Sequence, residues 1–177
     1  MRAAASASDH GSAQWGMHLA QLNIGRLRAP IDDPSIDDFR LNLPRINSLA
    51  EASPGFVWRL QDEAGDATSF KPFGDELEII NLTVWESIDA LAEFTYRSGH
   101  VEFLRRRRDF FEPSAPATLC LWWIPKGTIP TLEHAIARLE HLRAHGPTPT
   151  SFTFGHRFEP DGVADAQLDR TRDTCPA

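Results

Sequence analysis

The clearest strand signal in the chain is residues 77–85, Leu-Glu-Ile-Ile-Asn-Leu-Thr-Val-Trp, which are dense in aliphatic and β-branched side chains. Ser87 follows this stretch and begins a helical pattern that runs to Arg97. The same alternation of strand and helix signals continues on both sides. Further strands are predicted at 18–26, 56–60, 118–124 and 151–158, and further helices at 35–52, 100–111 and 131–145.

The order of these elements is β-α-β-β-α-β with an added helix and strand. It is typical of an α+β, ferredoxin-like split βαβ fold, in which helices cover one face of an antiparallel sheet. Because the other face of such a sheet would be bare, we expect a homodimer that packs sheet to sheet by two-fold symmetry. Pro44 is expected to kink the first helix or to split it in two.

Length and composition indicate one globular domain. The chain has 177 residues, 41% of them hydrophobic, and a formal net charge of −7. Residues 1–16 are predicted to be a flexible leader, 17–158 the domain, and 159–177 a disordered tail.

Several classes of protein are disfavoured by composition. No run approaches the ~18 apolar residues of a membrane span, and the acidic balance argues against nucleic acid as a partner. The first residues lack the apolar stretch of a signal peptide. Two cysteines are too few for a disulfide framework, with Cys120 expected in the core and Cys175 near the end of the chain. A cytoplasmic location is therefore expected.

The most informative candidate segment is residues 100–111. At helical spacing, His100 and Arg107 fall within an apolar stripe, while the other three arginines of the run 105–108 face other sides. The other members of the stripe are Phe103, Leu104, Phe110 and Phe111. An inward arginine favours a pocket in which Arg107 holds an organic anion and His100 moves a proton. The alternative is that Arg107 pairs with an internal carboxylate and His100 binds a backbone carbonyl.

Polar side chains interrupt the predicted strands at Asn23, Asn81 and Thr83. Period two puts Asn81, Thr83 and Trp85 on one face of the sheet. A polar lining there favours a wet or ligand-filled cavity, although Asn side chains that hold loops would give the same pattern. Aromatic candidates for the cavity walls are Trp58, Trp85, Trp123, Phe103 and Tyr96, each with ordinary core packing as the alternative.

Other chemistry-bearing motifs are not found in the sequence. His134, His141 and His145 lie opposite the apolar stripe of their helix, so no metal site is predicted. The sequence contains no P-loop, dinucleotide fingerprint or nucleophile elbow.

Three separate motifs carry a resemblance to a known family. The sequence resembles, from about Met17 to Phe158, a bacterial family of unknown function that is similar to the antibiotic-biosynthesis monooxygenases of the dimeric α+β barrel superfamily. The motifs are Ser53-Pro54-Gly55-Phe56-Val57-Trp58-Arg59-Leu60, Val84-Trp85-Glu86-Ser87 with Phe94-x-Tyr96-Arg97-x-x-His100, and Leu121-Trp122-Trp123-Ile124-Pro125. The resemblance implies a ferredoxin-like protomer, a sheet-to-sheet dimer and a cavity between helices and sheet in each subunit.

The resemblance leaves the reaction open. Some relatives oxidise phenolic polyketides without a cofactor, and others isomerise or cyclise their substrates. The pattern Trp85-x-Ser87, helix, His100 also resembles haem-degrading monooxygenases, and His100 matches the position of their iron ligand.

The leading hypothesis is a cofactor-independent enzyme (an oxygenase, isomerase or cyclase) that acts on an aromatic or polyketide-like acid as its small-molecule partner. Arg107 is its anion anchor and His100 its acid/base. Tyr96 is a further catalytic candidate, and the substrate is expected to contact Asn23, Trp58, Asn81, Thr83, Trp85, Phe103 and Trp123. The alternatives are a haem enzyme with His100 as axial ligand, and a dimeric metabolite-binding protein without catalysis.

Overall fold

Within the part of the chain that the structure describes, eight regular elements follow one another. They are β1 (Met17–Arg26), α1 (Asp37–Glu51), β2 (Phe56–Arg59), β3 (Glu78–Trp85), α2 (Ile88–Arg97), α3 (His100–Phe110), β4 (Leu119–Pro125) and α4 (Leu132–His145), with a short 3-10 turn at Pro34–Ile36 before α1. This computed structural model describes residues 16–113 and 117–164, without the side chains of residues 100–104. Among these residues, no helix combines the length and the hydrophobicity that a membrane crossing needs.

Parts of the sequence prediction fall outside the described residues. They are nearly all of the leader 1–16, the part of the tail after residue 164, Cys175, and the side chains of His100 and Phe103. Within the tail prediction, residues 159–164 form a turn closed by a bridge between Phe158 and Ala164. Backbone hydrogen bonding therefore continues past Phe158.

The four strands form one antiparallel sheet in the order β2-β3-β1-β4. This order, with helices after the first and third strands, is that of the ferredoxin-like split βαβ unit. The predicted α+β class is confirmed.

Local sequence signals set the helix ends. Ser87 caps α2, because its hydroxyl accepts a hydrogen bond from the backbone N–H of Ala90 at 3.1 Å. Gly55 has a φ of 80° in the turn before β2, and a Cβ there would come within 2.6 Å of the Ala90 side chain. Pro44 lies inside α1, which continues through it, so this proline does not split the helix.

One face of the sheet, named here the α2 face, packs against α1 and α2. Its residues alternate along β1 and β3 with those of the opposite face, named the α4 face. On the α2 face, the apolar core consists of Leu19, Trp85, Leu119 and Leu121 from the sheet with Ala50, Leu91 and Phe94 from the helices. On the α4 face, it consists of Leu22, Leu82, Val84, Cys120 and Trp122 with Ala135, Leu139 and Leu142 from α4.

The expectation that helices lie on one face only was wrong, because α4 covers the second face. Leu22, Leu82 and Val84 on that face are fully buried within a single chain. Ala67 and Phe70, from the loop after β2, pack against the same core. The bare face that motivated the homodimer is therefore not present, and the homodimer itself stays a prediction.

Cys120 lies in the α4 core, as its apolar sequence context indicates. Burial raises the pKa of its thiol to about 12. The thiolate is therefore scarce near neutral pH, and Cys120 is a core residue rather than a nucleophile.

The prediction of a strand at 151–158 was wrong, because these residues form isolated bridges and not a regular strand. Phe152 exchanges two backbone hydrogen bonds with Leu121 of β4, both 2.8 Å long, and forms an isolated bridge. Tight bridges Thr148–Ser151 and Thr153–His156 turn the chain on either side, so the segment does not stay extended. Phe152 and Phe154 are nevertheless buried, which explains the alternating sequence pattern.

The packing of α4 against the sheet predicts a large loss of stability when one of its core contacts is removed. Leu139→Ala is expected to lower the free energy of unfolding by about 2–5 kcal/mol, because Leu139 is fully buried between α4 and the sheet. Urea denaturation measures this. Leu41→Ala is the matched control, since Leu41 is 65% exposed on α1, and it should change stability by less than about 0.5 kcal/mol. Equal effects of the two substitutions would contradict the position of α4.

Candidate functional site

A cavity of about 170 Å³ lies between the α2 face of the sheet and the helices α1, α2 and α3. A cavity of about 150 Å³ in another protein is known to hold one benzene molecule, so a space of this size suits a single aromatic ring. Polar residues of β1 and β3 form its floor: Gln21, Asn23, Asn81 and Thr83. Apolar and aromatic side chains from the helices cover it, among them Leu43, Ile46, Leu91, Phe94 and Phe110.

A buried hydrogen-bond chain runs through the floor. Trp85 Nε1 donates to Thr83 Oγ1 at 2.9 Å, and Thr83 Oγ1 donates to Gln21 Oε1 at 2.6 Å. The Thr83 oxygen accepts a hydrogen bond from the indole N–H and donates its own hydrogen to the amide oxygen of Gln21. The Gln21 amide is therefore oriented with its oxygen toward Thr83. Its oxygen is used within the chain, and its NH₂ group supplies the donors that Gln21 offers to the cavity.

Aromatic rings stand at both ends of the floor. At one end, Trp85 stacks on Phe94 at 5.2 Å, and Phe56 meets Trp85 edge-on at 5.3 Å. At the other end, Phe39 packs against Phe110 and Phe111 at 5.9 and 5.1 Å. The walls are therefore suited to the faces and edges of a planar ring.

The cavity opens where the sheet edge is uncovered. Asn81 lines the cavity and is also exposed to solvent. The chain leaves the sheet after β2, and Leu60, Asp66, Ala67 and Thr68 of the following segment form part of the wall. The loop after β2 therefore lies at the entrance.

The four consecutive arginines take the directions that the helical period predicts. Arg107 is half-buried and lines the cavity, whereas Arg105, Arg106 and Arg108 are exposed. Contacts at the surface hold α3 in this rotation. Arg106 binds Asp38 of α1 at 2.9 Å, and Arg28 Nε donates to the carbonyl of Arg108 at 2.9 Å.

The structure brings together five of the predicted site residues. Asn23, Asn81, Thr83, Trp85 and Arg107 all line the cavity. His100 begins α3, two helical turns before Arg107, but its side chain and that of Phe103 are outside the described set.

Trp58 does not belong with these residues, which corrects the prediction. A β-bulge between Phe56 and Trp58 shifts the pairing of β2 with β3. Trp58 therefore lies opposite Val84 and packs into the α4 core, while Arg59 lies opposite Thr83 on the α2 face.

Trp123, a predicted substrate contact, and Tyr96, a predicted catalytic residue, pack beside the cavity without lining it. Trp123 Nε1 donates to the carbonyl of Phe158 at 2.6 Å, so the chain after α4 covers this ring. Tyr96 meets Phe154 edge-on at 5.5 Å, and it is Phe154 that reaches the cavity. Neither side chain lines the cavity directly.

Gln21 and Arg59 are among the cavity residues that were missed from the sequence. Gln21 shares its face with Asn23 by period two, so the sequence carried a signal for it. Arg59 could not be found in this way, because only the bulge in β2 brings it to the α2 face. Its side chain is 12% exposed and lines the cavity.

The haem alternative depends on His100 as axial ligand, and the side chain of His100 lies outside the described residues. Among the described residues, no group of three or more His, Cys, Asp or Glu side chains is placed to hold a metal ion.

The fold and the cavity define a ferredoxin-like α+β protein with a cavity between sheet and helices. The chain belongs to the family described as Domain of unknown function (DUF3291), whose model matches residues 18–168. The resemblance to a family of unknown function is thereby confirmed. No curated protein sequence matches the chain.

Solved structures with similar folds have low sequence identity to the chain. SnoaB from Streptomyces nogalater, described as a cofactor-independent oxygenase, matches with a TM-score of 0.44 and 15% identity over 64% of this chain and 98% of that chain. PA3566 from Pseudomonas aeruginosa gives 0.43 and 12% over 64% and 98%. A candidate antibiotic biosynthesis monooxygenase from Nitrosomonas europaea gives 0.40 and 10% over 66% and 93%. These are likenesses of fold.

The buried hydrogen-bond chain predicts losses of stability of different size for two substitutions of Thr83. Thr83→Val keeps the shape but leaves the Trp85 N–H and the Gln21 oxygen without their partner. The free energy of unfolding is expected to fall by about 1–3 kcal/mol for each orphaned group. Thr83→Ser keeps the hydroxyl and should cost about 1 kcal/mol. Denaturant unfolding of both variants checks this, and a Val variant as stable as the Ser variant would refute the chain.

Proposed function

We propose that the protein is a small-molecule tailoring enzyme that acts on a single-ring aromatic acid held in the cavity. The observation that carries this proposal is the hydrogen-bond chain from Trp85 through Thr83 to Gln21, because it turns amide donors toward a ligand. A largely apolar cavity with a few converging polar groups is typical of small-molecule sites. Its volume favours one ring over the fused rings of a polyketide.

Arg107 is the proposed anchor for the acid. A guanidinium that reaches a cavity with apolar walls binds a carboxylate strongly, because water there competes weakly. His100 is the proposed acid/base, since the helical period puts it on the same side of α3 as Arg107. Asn23 and Asn81 would orient the ring from the floor.

Cofactor-independent oxygenation, isomerisation and cyclisation share a first step that suits this site. A proton leaves the substrate, here to His100, and negative charge develops on a substrate oxygen. The amide donors of Gln21 are already oriented by Thr83, so they stabilise that charge with little reorganisation. Trp85 and Phe94 exclude water from the reacting ring.

Binding of a simple aromatic acid tests the anchor. Benzoate at about 100 times its Kd should raise the Tm by about 5–10 °C, since binding at that concentration adds about 2.7 kcal/mol of stability. Arg107→Gln should abolish most of this rise. Arg105→Gln removes the same charge from the exposed side of α3 and should retain it. Equal Tm shifts for the two variants would exclude Arg107 as the anchor.

Turnover tests the acid/base role. Phenolic acids that bind are to be followed by oxygen uptake and by their ultraviolet spectra, which report oxygenation and isomerisation or cyclisation separately. His100→Ala should reduce turnover by about 10²–10⁴-fold while binding persists. His134→Ala, on the exposed side of α4, is the control. Unchanged turnover in His100→Ala would remove His100 from the mechanism, and binding without any turnover would favour a metabolite-binding protein.

A further inference from the structure

Arg59 is a second cation of the cavity and is absent from the function proposed above. It is the last residue of β2, at the edge of the sheet, and lies opposite Thr83 in the row of the floor that contains Gln21. Arg107 approaches from α3, and Phe111, which follows the last residue of α3, bridges to Leu27 just after β1. The two guanidinium groups thus enter the same cavity from different elements.

Only some of the N–H donors of Arg59 are used to hold its side chain in place. Its Nε donates to Glu51 Oε1 at 2.7 Å and its Nη1 donates to the carbonyl of Gly65 at 2.9 Å. A guanidinium has five N–H donors. The remaining three have no acceptor among residues 16–113 and 117–164, although the side chain is only 12% exposed. A nearly buried cation with unused donors beside a cavity is a preorganised site for an anion.

The carboxylates near Arg59 do not occupy its unused donors. Glu51 is 46% exposed and contacts the Nε side of the guanidinium, where solvent screens its charge. Asp66 also lines the cavity, but its Oδ1 accepts from the backbone N–H and the hydroxyl of Thr68 at 2.8 and 2.6 Å. Its carboxylate is thus bound within its own loop.

We propose that Arg59 is a second anion-binding residue of the cavity, so that the ligand is a single aromatic ring with two acidic groups, one on Arg59 and one on Arg107. The inference rests on the proposed function, because it takes Arg107 as the anchor of one acidic group. The ligand class is a benzenedicarboxylate or a hydroxybenzoate that binds with its phenol ionised. The floor between the two cations supplies amide groups for the ring substituents and aromatic walls for its faces.

The experiment compares benzoate, meta- and para-hydroxybenzoate, isophthalate and terephthalate by isothermal titration calorimetry with the full chain. At least one doubly acidic ligand should bind about 10–100-fold more tightly than benzoate, which is the effect of one added charge-assisted contact. Arg59→Gln should remove that advantage, so that benzoate and the doubly acidic ligands bind with similar affinity. Arg107→Gln should weaken every ligand of the set.

Two further variants separate ligand binding from a structural role of Arg59. Glu51→Gln breaks the ion pair but keeps the guanidinium, so it should retain or strengthen binding of the doubly acidic ligand. Arg59→Lys keeps the charge and should recover part of the affinity that Arg59→Gln loses. If Arg59 only fastens α1 to the loop, Glu51→Gln will weaken binding as much as Arg59→Gln does, and the proposal is overturned.

The outcomes also distinguish this proposal from the function above. Benzoate binding that depends on Arg107, with no gain from a second acidic group, would overturn the role of Arg59 and keep the anchor. A gain that depends on Arg59 but not on Arg107 would keep the second site and overturn the anchor. No binding of any ligand to the wild-type protein would overturn both.

Discussion

The hydrogen bonds from Trp85 to Thr83 and from Thr83 to Gln21 tie the pairing of β1 and β3 to the shape of the cavity. Gln21 lies directly opposite Thr83 in the antiparallel register. A slip of one residue would carry Gln21 to the α4 face, among aliphatic side chains that offer no partner. Because a buried amide must be satisfied, the register, the orientation of the Gln21 amide and the polar floor form one arrangement.

Both faces of the sheet are covered, but the side chains on the two faces differ in polarity. The α4 face is closed by aliphatic packing of Leu82, Val84 and Leu139, which forms an apolar core. The α2 face has polar residues in the middle of its strands, and the helices above it leave a cavity instead of closing on them. At one end of the floor Trp85 of β3 stacks on Phe94 of α2, and at the other end Phe39 of α1 packs against Phe110 of α3. The added helix α4 therefore stabilises the scaffold, and the site belongs to the other face.

Much of this arrangement could be predicted from local signals. Strand period two grouped Asn81, Thr83 and Trp85, and helical period pointed Arg107 inward, because both periods are properties of the backbone. The position of α4 and the side of Trp58 could not be predicted. A helix pattern shows an apolar stripe but not the face on which the stripe packs. The bulge in β2 depends on pairing with β3, which no neighbouring residue encodes.

Arg107 owes its position to contacts made by neighbouring residues of α3. Successive helical residues differ by about 100° in direction, so only one of four consecutive arginines can point straight into the cavity. The ion pair of Arg106 with Asp38, the bond from Arg28 to the Arg108 carbonyl, and the burial of Phe110 together select one rotation of the helix. A rotation by one position would bring another arginine inward and expose Phe110 to water, which the apolar packing opposes. The surface charges of α3 thereby position a cation in the cavity from outside the cavity.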